Sequence, residues 1–170
     1  RKGSPQPCTG AAAGGNSGAM VLFSNDLDKA LAALIIATGM AAAGMQVSIF
    51  FTFWGLSVLR KNPGPQVKKS LLSAMFGFML PKGARKLALS KMHMAGMGTA
   101  MMKHVMASQN VASLPDMLQN ARAMGVKFIA CDMAMGVMGL TRDELIDVDE
   151  VAGVATFIAR AKESGPTLFI

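Results

Sequence analysis

Apolar residues come in two rhythms along this chain, short solid runs and longer stretches spaced at three and four, and the two alternate. Met20 to Phe23 is a short run, followed by Ser24-Asn25-Asp26, a turn whose side chains can cap a helix. Leu27 to Gly44 then carries strong helix formers, with Leu27, Leu31, Leu34, Ile35 and Thr38 at helical spacing and Gly44 as a stop. Gln46 to Phe53 is β-branched and aromatic, as a buried strand would be. Trp54-Gly55 closes it, and Leu56 to Lys61 adds a helical turn. This order predicts a βαβ unit.

The rhythm is lost from residue 62 to about 110, where Pro63, Pro65 and Pro81 interrupt a methionine-rich stretch. Helix is expected over Val67–Leu80 and Thr99–Ser108. Connections this long inside a domain usually serve as lids or binding elements. Periodicity resumes at Ser113–Met124, an amphipathic helix with Leu114, Met117, Leu118 and Ala121 on one face. Val126–Ala130 reads as a buried strand. Thr141 and Glu144 have capping-box spacing and open a short helix. Val151–Glu163 is expected to be helical, Gly165-Pro166 breaks it, and Thr167–Ile170 forms a last strand. Strands alternating with helices predict a layered α/β fold with a mainly parallel sheet.

Residues 1–18, rich in Gly, Ala, Ser and Pro, are expected to be a flexible tail, leaving 19–170 as one domain with the methionine-rich insertion at 62–110. The chain opens on Arg1, as a trimmed protein or a piece of a longer one would. From Ala30 to Leu59 no residue is charged, which raises the alternative of a membrane-associated protein, since about 20 apolar residues suffice for a span. The run changes character at Gly44, from Ala and Leu to Val, Ile and Phe. Strands buried on both faces read the same way, so a membrane role is not expected.

Of 170 residues, 17 are basic and 10 acidic, giving +7. Much of the excess lies between Arg60 and Lys103, with only Phe76 and Phe78 interleaved and no tyrosine anywhere. Single-strand nucleic-acid sites want stacking platforms among their cations, so nucleic acid is not expected. An acidic partner protein, an anionic small molecule or simple solubility accounts for the charge.

No glycine-rich phosphate loop of known spacing occurs, no carboxylates are paired for acid–base work, and no nucleophile elbow is present. Lys91–Met106 holds His93 and His104 among Met92, Met94, Met97 and Met101. Thioether and imidazole together form a soft ligand set for Cu(I), but methionine is common here and lines cores and interfaces equally well. No metal is expected, and no cofactor.

The remaining chemistry is a thiol. Of two cysteines, Cys8 lies in the tail, while Cys131 sits where the strand Val126–Ala130 gives way to a turn or helix. Ligands of open α/β sheets bind beyond the carboxyl ends of strands. A thiol there is expected to meet solvent, and the N–H groups of a following helix favour its thiolate. Asp132 opposes this unless it caps the helix and points away. The competing reading is an inert core cysteine in a ligand- or Cu(I)-binding module. So few cysteines suit a reducing, cytoplasmic setting.

Four segments together resemble the DsrE/DsrF/DsrH-like sulfur-carrier family, in its larger, methionine-rich branch: residues 22–56 (with FFTFWG), 80–103 (with KMHMAGMG), 125–140 (with CDMAMGVMG) and 153–170. The resemblance implies a DsrE-like α/β fold of flavodoxin-like topology, a homo-oligomer, and relay of sulfane sulfur as a persulfide on Cys131. The donors and acceptors it implies are TusA-like or rhodanese-like proteins, and the activity is sulfurtransferase-like. Asp28, Trp54, Lys91 and Met133 match the pattern as supporting candidates, and His93 lies within it.

Overall fold

A computed structural model describes residues 16–62, 83–91 and 97–170 of the chain. Among these residues five strands form one sheet: β1 (Ser17–Leu22), β2 (Gln46–Phe51), β3 (Lys127–Cys131), β4 (Glu150–Ala152) and β5 (Thr167–Phe169), in the order β4-β3-β2-β1-β5. All four pairings are parallel, with Met20 beside Ile49, Phe50 beside Ile129 and Cys131 beside Ala152. The helices are α1 (Leu27–Ala42), α2 (Met97–Ser108), α3 (Leu114–Ala123), α4 (Asp132–Met138) and α5 (Val154–Lys162), and a 3-10 helix spans Phe53–Leu59. This is the layered α/β architecture expected.

The chain steps from β1 through β4 in one direction and returns past β1 to β5. Crossovers between parallel strands are right-handed, so α1 and α3 lie together on one face and α5 on the other. Phe157 of α5 stacks on Phe50 with ring centroids 4.8 Å apart, while Phe51 meets Phe128 edge-on at 5.3 Å. Between these layers Met20, Leu22, Leu34, Ile49, Phe51, Phe128 and Ile129 are fully buried.

Several boundaries differ from the sequence reading. β1 begins at Ser17, inside the stretch expected to be tail, because backbone pairing with Gln46 and Val47 needs no apolar side chain. The segment 151–163 is not one helix. Glu150–Ala152 pairs with β3 as an edge strand, and Gly153, with extended backbone, starts α5. Ile35 faces outward from α1, whose buried stripe is Leu27, Ala30, Leu31, Ala33, Leu34 and Ala37. Small alanines let the helix lie close to the sheet. The helix expected over Val67–Leu80 lies outside the described residues.

The uncharged run from Ala30 to Leu59 is divided among most of α1, a turn at Gly44 (φ +84), β2 and the 3-10 helix. Among the described residues no helix is long and apolar enough to cross a membrane.

Candidate functional site

The carboxyl ends of β1, β2 and β3 gather most of the candidate residues. β3 is covered on both faces, which explains its solid apolar run, and it ends at Cys131, the residue preceding α4. α4 is two turns long and closes at Gly139, whose left-handed backbone (φ 62, ψ 34) suits glycine. Asp132 and Met133 form its first turn; Asp132 is exposed, and Met133 is 57% exposed. Cys131 is the one cysteine among the described residues, and it is 2% exposed. The expectation that the thiol meets solvent is therefore wrong for this conformation. Beyond the strand end, the 3-10 helix Phe53–Leu59 packs against both β3 and α4 and helps close that end of the sheet.

That 3-10 helix carries Trp54, which is 42% exposed. Its first residue, Phe53, holds a left-handed φ of 45, a costly conformation for a bulky side chain. The Phe53 ring meets Phe23 at 5.6 Å, and Phe23 stacks on Phe169 at 5.9 Å. An aromatic shelf thus lines the ends of β1, β2 and β5. Ser57 in the same 3-10 helix is fully buried, and among the described residues its hydroxyl has no hydrogen-bond partner.

Asp28 lies in the first turn of α1 and accepts two hydrogen bonds from Ser90, one from the backbone N–H at 2.9 Å and one from the hydroxyl at 2.6 Å. Burial alone pushes the Asp28 carboxyl up. The hydrogen bonds from Ser90 and the charge of Lys29 more than offset this, and its pKa lies below the ordinary 3.8. Lys91 follows Ser90, and both line a mostly apolar cavity of about 370 Å³ with Asp28, Met101, Met102 and Val105. The structure thus brings Asp28 and Lys91 together. Trp54 belongs to the element touching α4, which carries Met133, and no ion pair or hydrogen bond among the described residues joins Cys131 to any of them. His93 lies outside the described residues, and His104 is exposed on α2. Among the described residues no three His, Cys, Asp or Glu side chains converge as a metal site.

Two features escaped the sequence reading. Ser90, the partner of Asp28, stands beside Lys91 with no pattern of its own. The capping box at Thr141 is present, its N–H donating to Glu144 Oε2 at 3.0 Å, but the burial of Glu144 against Arg60 was not foreseeable from spacing.

A parallel sheet with a cysteine at the end of an inner strand defines a doubly wound α/β protein with a thiol at its strand-end rim. The family model described as DsrE/DsrF/DrsH-like matches residues 15–169, and the chain belongs to that family. It is 51% identical over 151 residues to the uncharacterized protein YrkE of Bacillus subtilis, covering 89% of this chain and 94% of that one. It is also 37% identical over 156 residues to the sulfur carrier protein DsrE2 of Allochromatium vinosum, covering 89% and 96%. The fold resembles that of MTH1491, a protein of unknown function from Methanobacterium thermoautotrophicum, with a TM-score of 0.54, 15% identity, and coverage of 91% and 98%.

Proposed function

We propose that this protein relays sulfane sulfur between partner proteins as a persulfide on Cys131. One observation carries the reading. The matched region, residues 15–169, excludes Cys8 and contains Cys131, so a family member that carries sulfur on a thiol has no other thiol there. The relative from Allochromatium vinosum bears the name of a sulfur carrier.

The chemistry balances without an oxidant. The Cys131 thiolate attacks the outer sulfur of a donor persulfide, forming the Cys131 S–S bond as the donor's own S–S bond breaks and its thiolate leaves. An acceptor thiolate then takes the outer sulfur from Cys131 in the same way. Thiolate fraction, leaving group and access set the rates of such exchanges. One cysteine suffices, because the second thiol belongs to the partner.

Burial of Cys131 gives the cargo protection and makes access the controlled step. Transfer requires the short α4 or its neighbouring 3-10 helix to yield. The exposed apolar side chains of Met133 and Val137 on α4 give a TusA-like or rhodanese-like partner, or a second copy of this chain, a surface beside the thiol. Asp28, Trp54, Lys91 and His93 are assigned as supporting residues, and a reducing, cytoplasmic setting keeps the thiol available.

The test is intact-protein mass after incubation with a persulfide donor. Wild type and Cys8→Ser should gain the mass of one sulfur, reversible by a reductant, and Cys131→Ser should not. Equal loading of the two variants defeats the assignment.

A further inference from the structure

The positive charge noted in the sequence finds a physical location away from Cys131. A cavity of about 470 Å³ opens between α3, the chain leaving the 3-10 helix, and Gly83–Arg85. Among the described residues four cations line it, Arg60, Lys61, Arg85 and Arg122, and no carboxylate does. Val58, Leu118 and Ile146 supply apolar wall.

The cations are held by the fold. Lys61 N–H donates to the Glu144 carbonyl at 2.8 Å, and its Nζ donates to the carbonyl of Asp143 at 2.9 Å, a neutral acceptor. Lys103 Nζ donates to the Arg85 carbonyl at 2.8 Å, fixing that turn and adding a further positive charge behind it. Arg122 lies over the Phe128 ring, 5.8 Å from its centroid, and its carboxylate partner Asp147 is almost fully exposed. Such a surface pair contributes little, so Arg122 can turn to an incoming anion at small cost. Arg60 is paired with Glu144, which lies outside the lining.

The geometry points to a binding site for a small organic anion with a doubly charged oxoanion head, such as an organic phosphate. Guanidinium forks match phosphate oxygens bidentately, and the volume lies within the roughly 300–1,000 Å³ of small-molecule sites. The apolar wall suits the organic body. A bare inorganic ion would leave it unused.

The probes are phenyl phosphate and pyrophosphate, titrated calorimetrically into the full chain. Phenyl phosphate should bind saturably at one site. Arg85→Gln and Arg122→Gln should each weaken it by about tenfold, the loss expected for one charge-assisted hydrogen bond, and Arg122→Lys should recover part of that loss. Lys162→Gln, at an exposed position on α5, removes the same charge elsewhere and should change nothing. Circular dichroism on each variant separates lost binding from lost fold. No saturable heat, equal weakening by Lys162→Gln, or tighter binding of pyrophosphate than of phenyl phosphate overturns the proposal. So does a glutamate-rich peptide that outcompetes both probes, since it assigns the cavity to an acidic protein. Binding should persist in Cys131→Ser, so the outcome is independent of the sulfur-relay reading.

Discussion

Arg60 and Glu144 face each other 3.6 Å apart, with less than a tenth of either side chain exposed. They tie the chain leaving the 3-10 helix to the segment after α4, where Arg60 also forms an antiparallel bridge to Leu145. Burial pulls the guanidinium below its usual pKa, and Glu144 works against that pull. Removing one partner strands a buried charge, which costs about 3 kcal/mol or more. Glu144→Gln should therefore lower stability by about that amount in urea unfolding. The double variant Arg60→Met with Glu144→Gln keeps a side-chain oxygen for the Thr141 N–H and should recover most of the loss. A Glu144→Gln protein as stable as wild type would show that the pair contributes nothing.

Asp28 and Ser90 join α1 to the segment before α2, and their link depends on pH with a definite sign. The folded carboxyl titrates below 3.8, so the unfolded chain binds its proton first as pH falls. The contribution is fully present above 3.8 and is lost as pH drops from there through the folded value. Wild type should lose stability across that window, and Asp28→Asn should lose less across it while being less stable at neutral pH. Denaturant midpoints at neutral pH and below 3.8 check this. Parallel curves for the two proteins would refute it.

Gly55 is needed for close approach between backbones. Its N–H donates to the Phe23 carbonyl at 2.7 Å, and a methyl group at its Cα would overlap the carbonyl oxygen of Leu22. Neither backbone can move without breaking the strand-end contacts that close the site. Gly55→Ala should cost at least about 3 kcal/mol, the upper range for overpacking, read as a lower thermal midpoint. Gly39→Ala is the control, since nothing lies within contact of a methyl there.

The sequence carried the parts of the fold that rest on local rules. Gly44 stops α1 as composition suggested, the amphipathic stretch from Ser113 holds α3, and the solid run before Cys131 is an inner strand. What it did not carry depends on partners far along the chain. β4 is only three residues, and Val151-Ala152 continues the alanine-rich helical pattern of α5. Only pairing with β3 makes it a strand. The position of Cys131 at a strand end was legible, but its burial was not, because Phe53–Leu59, some seventy residues earlier, helps close that end of the sheet. Ser90 and Arg60 became visible as partners only once Asp28 and Glu144 had neighbours in space.

Access to Cys131 is the last point to test, because a carrier thiol must be reached. At 2% exposure the native thiol should react with an alkylating reagent far more slowly than the same thiol in denaturant. Opening of α4, which follows directly on Cys131, is the route tested. That helix is held at its far end by Gly139, and by Leu140 N–H donating to the Met135 carbonyl at 2.9 Å. Alanine at a left-handed position costs roughly 1 kcal/mol, which raises the open population about fivefold. Gly139→Ala should therefore speed labelling of Cys131 about fivefold, with the sites of modification read by mass spectrometry. Asp28→Asn, which weakens a different part of the molecule, should leave the rate near that of wild type. If both variants speed labelling equally, the thiol is reached by global unfolding. α4 is then not its gate, and transfer to a partner would need a different opening.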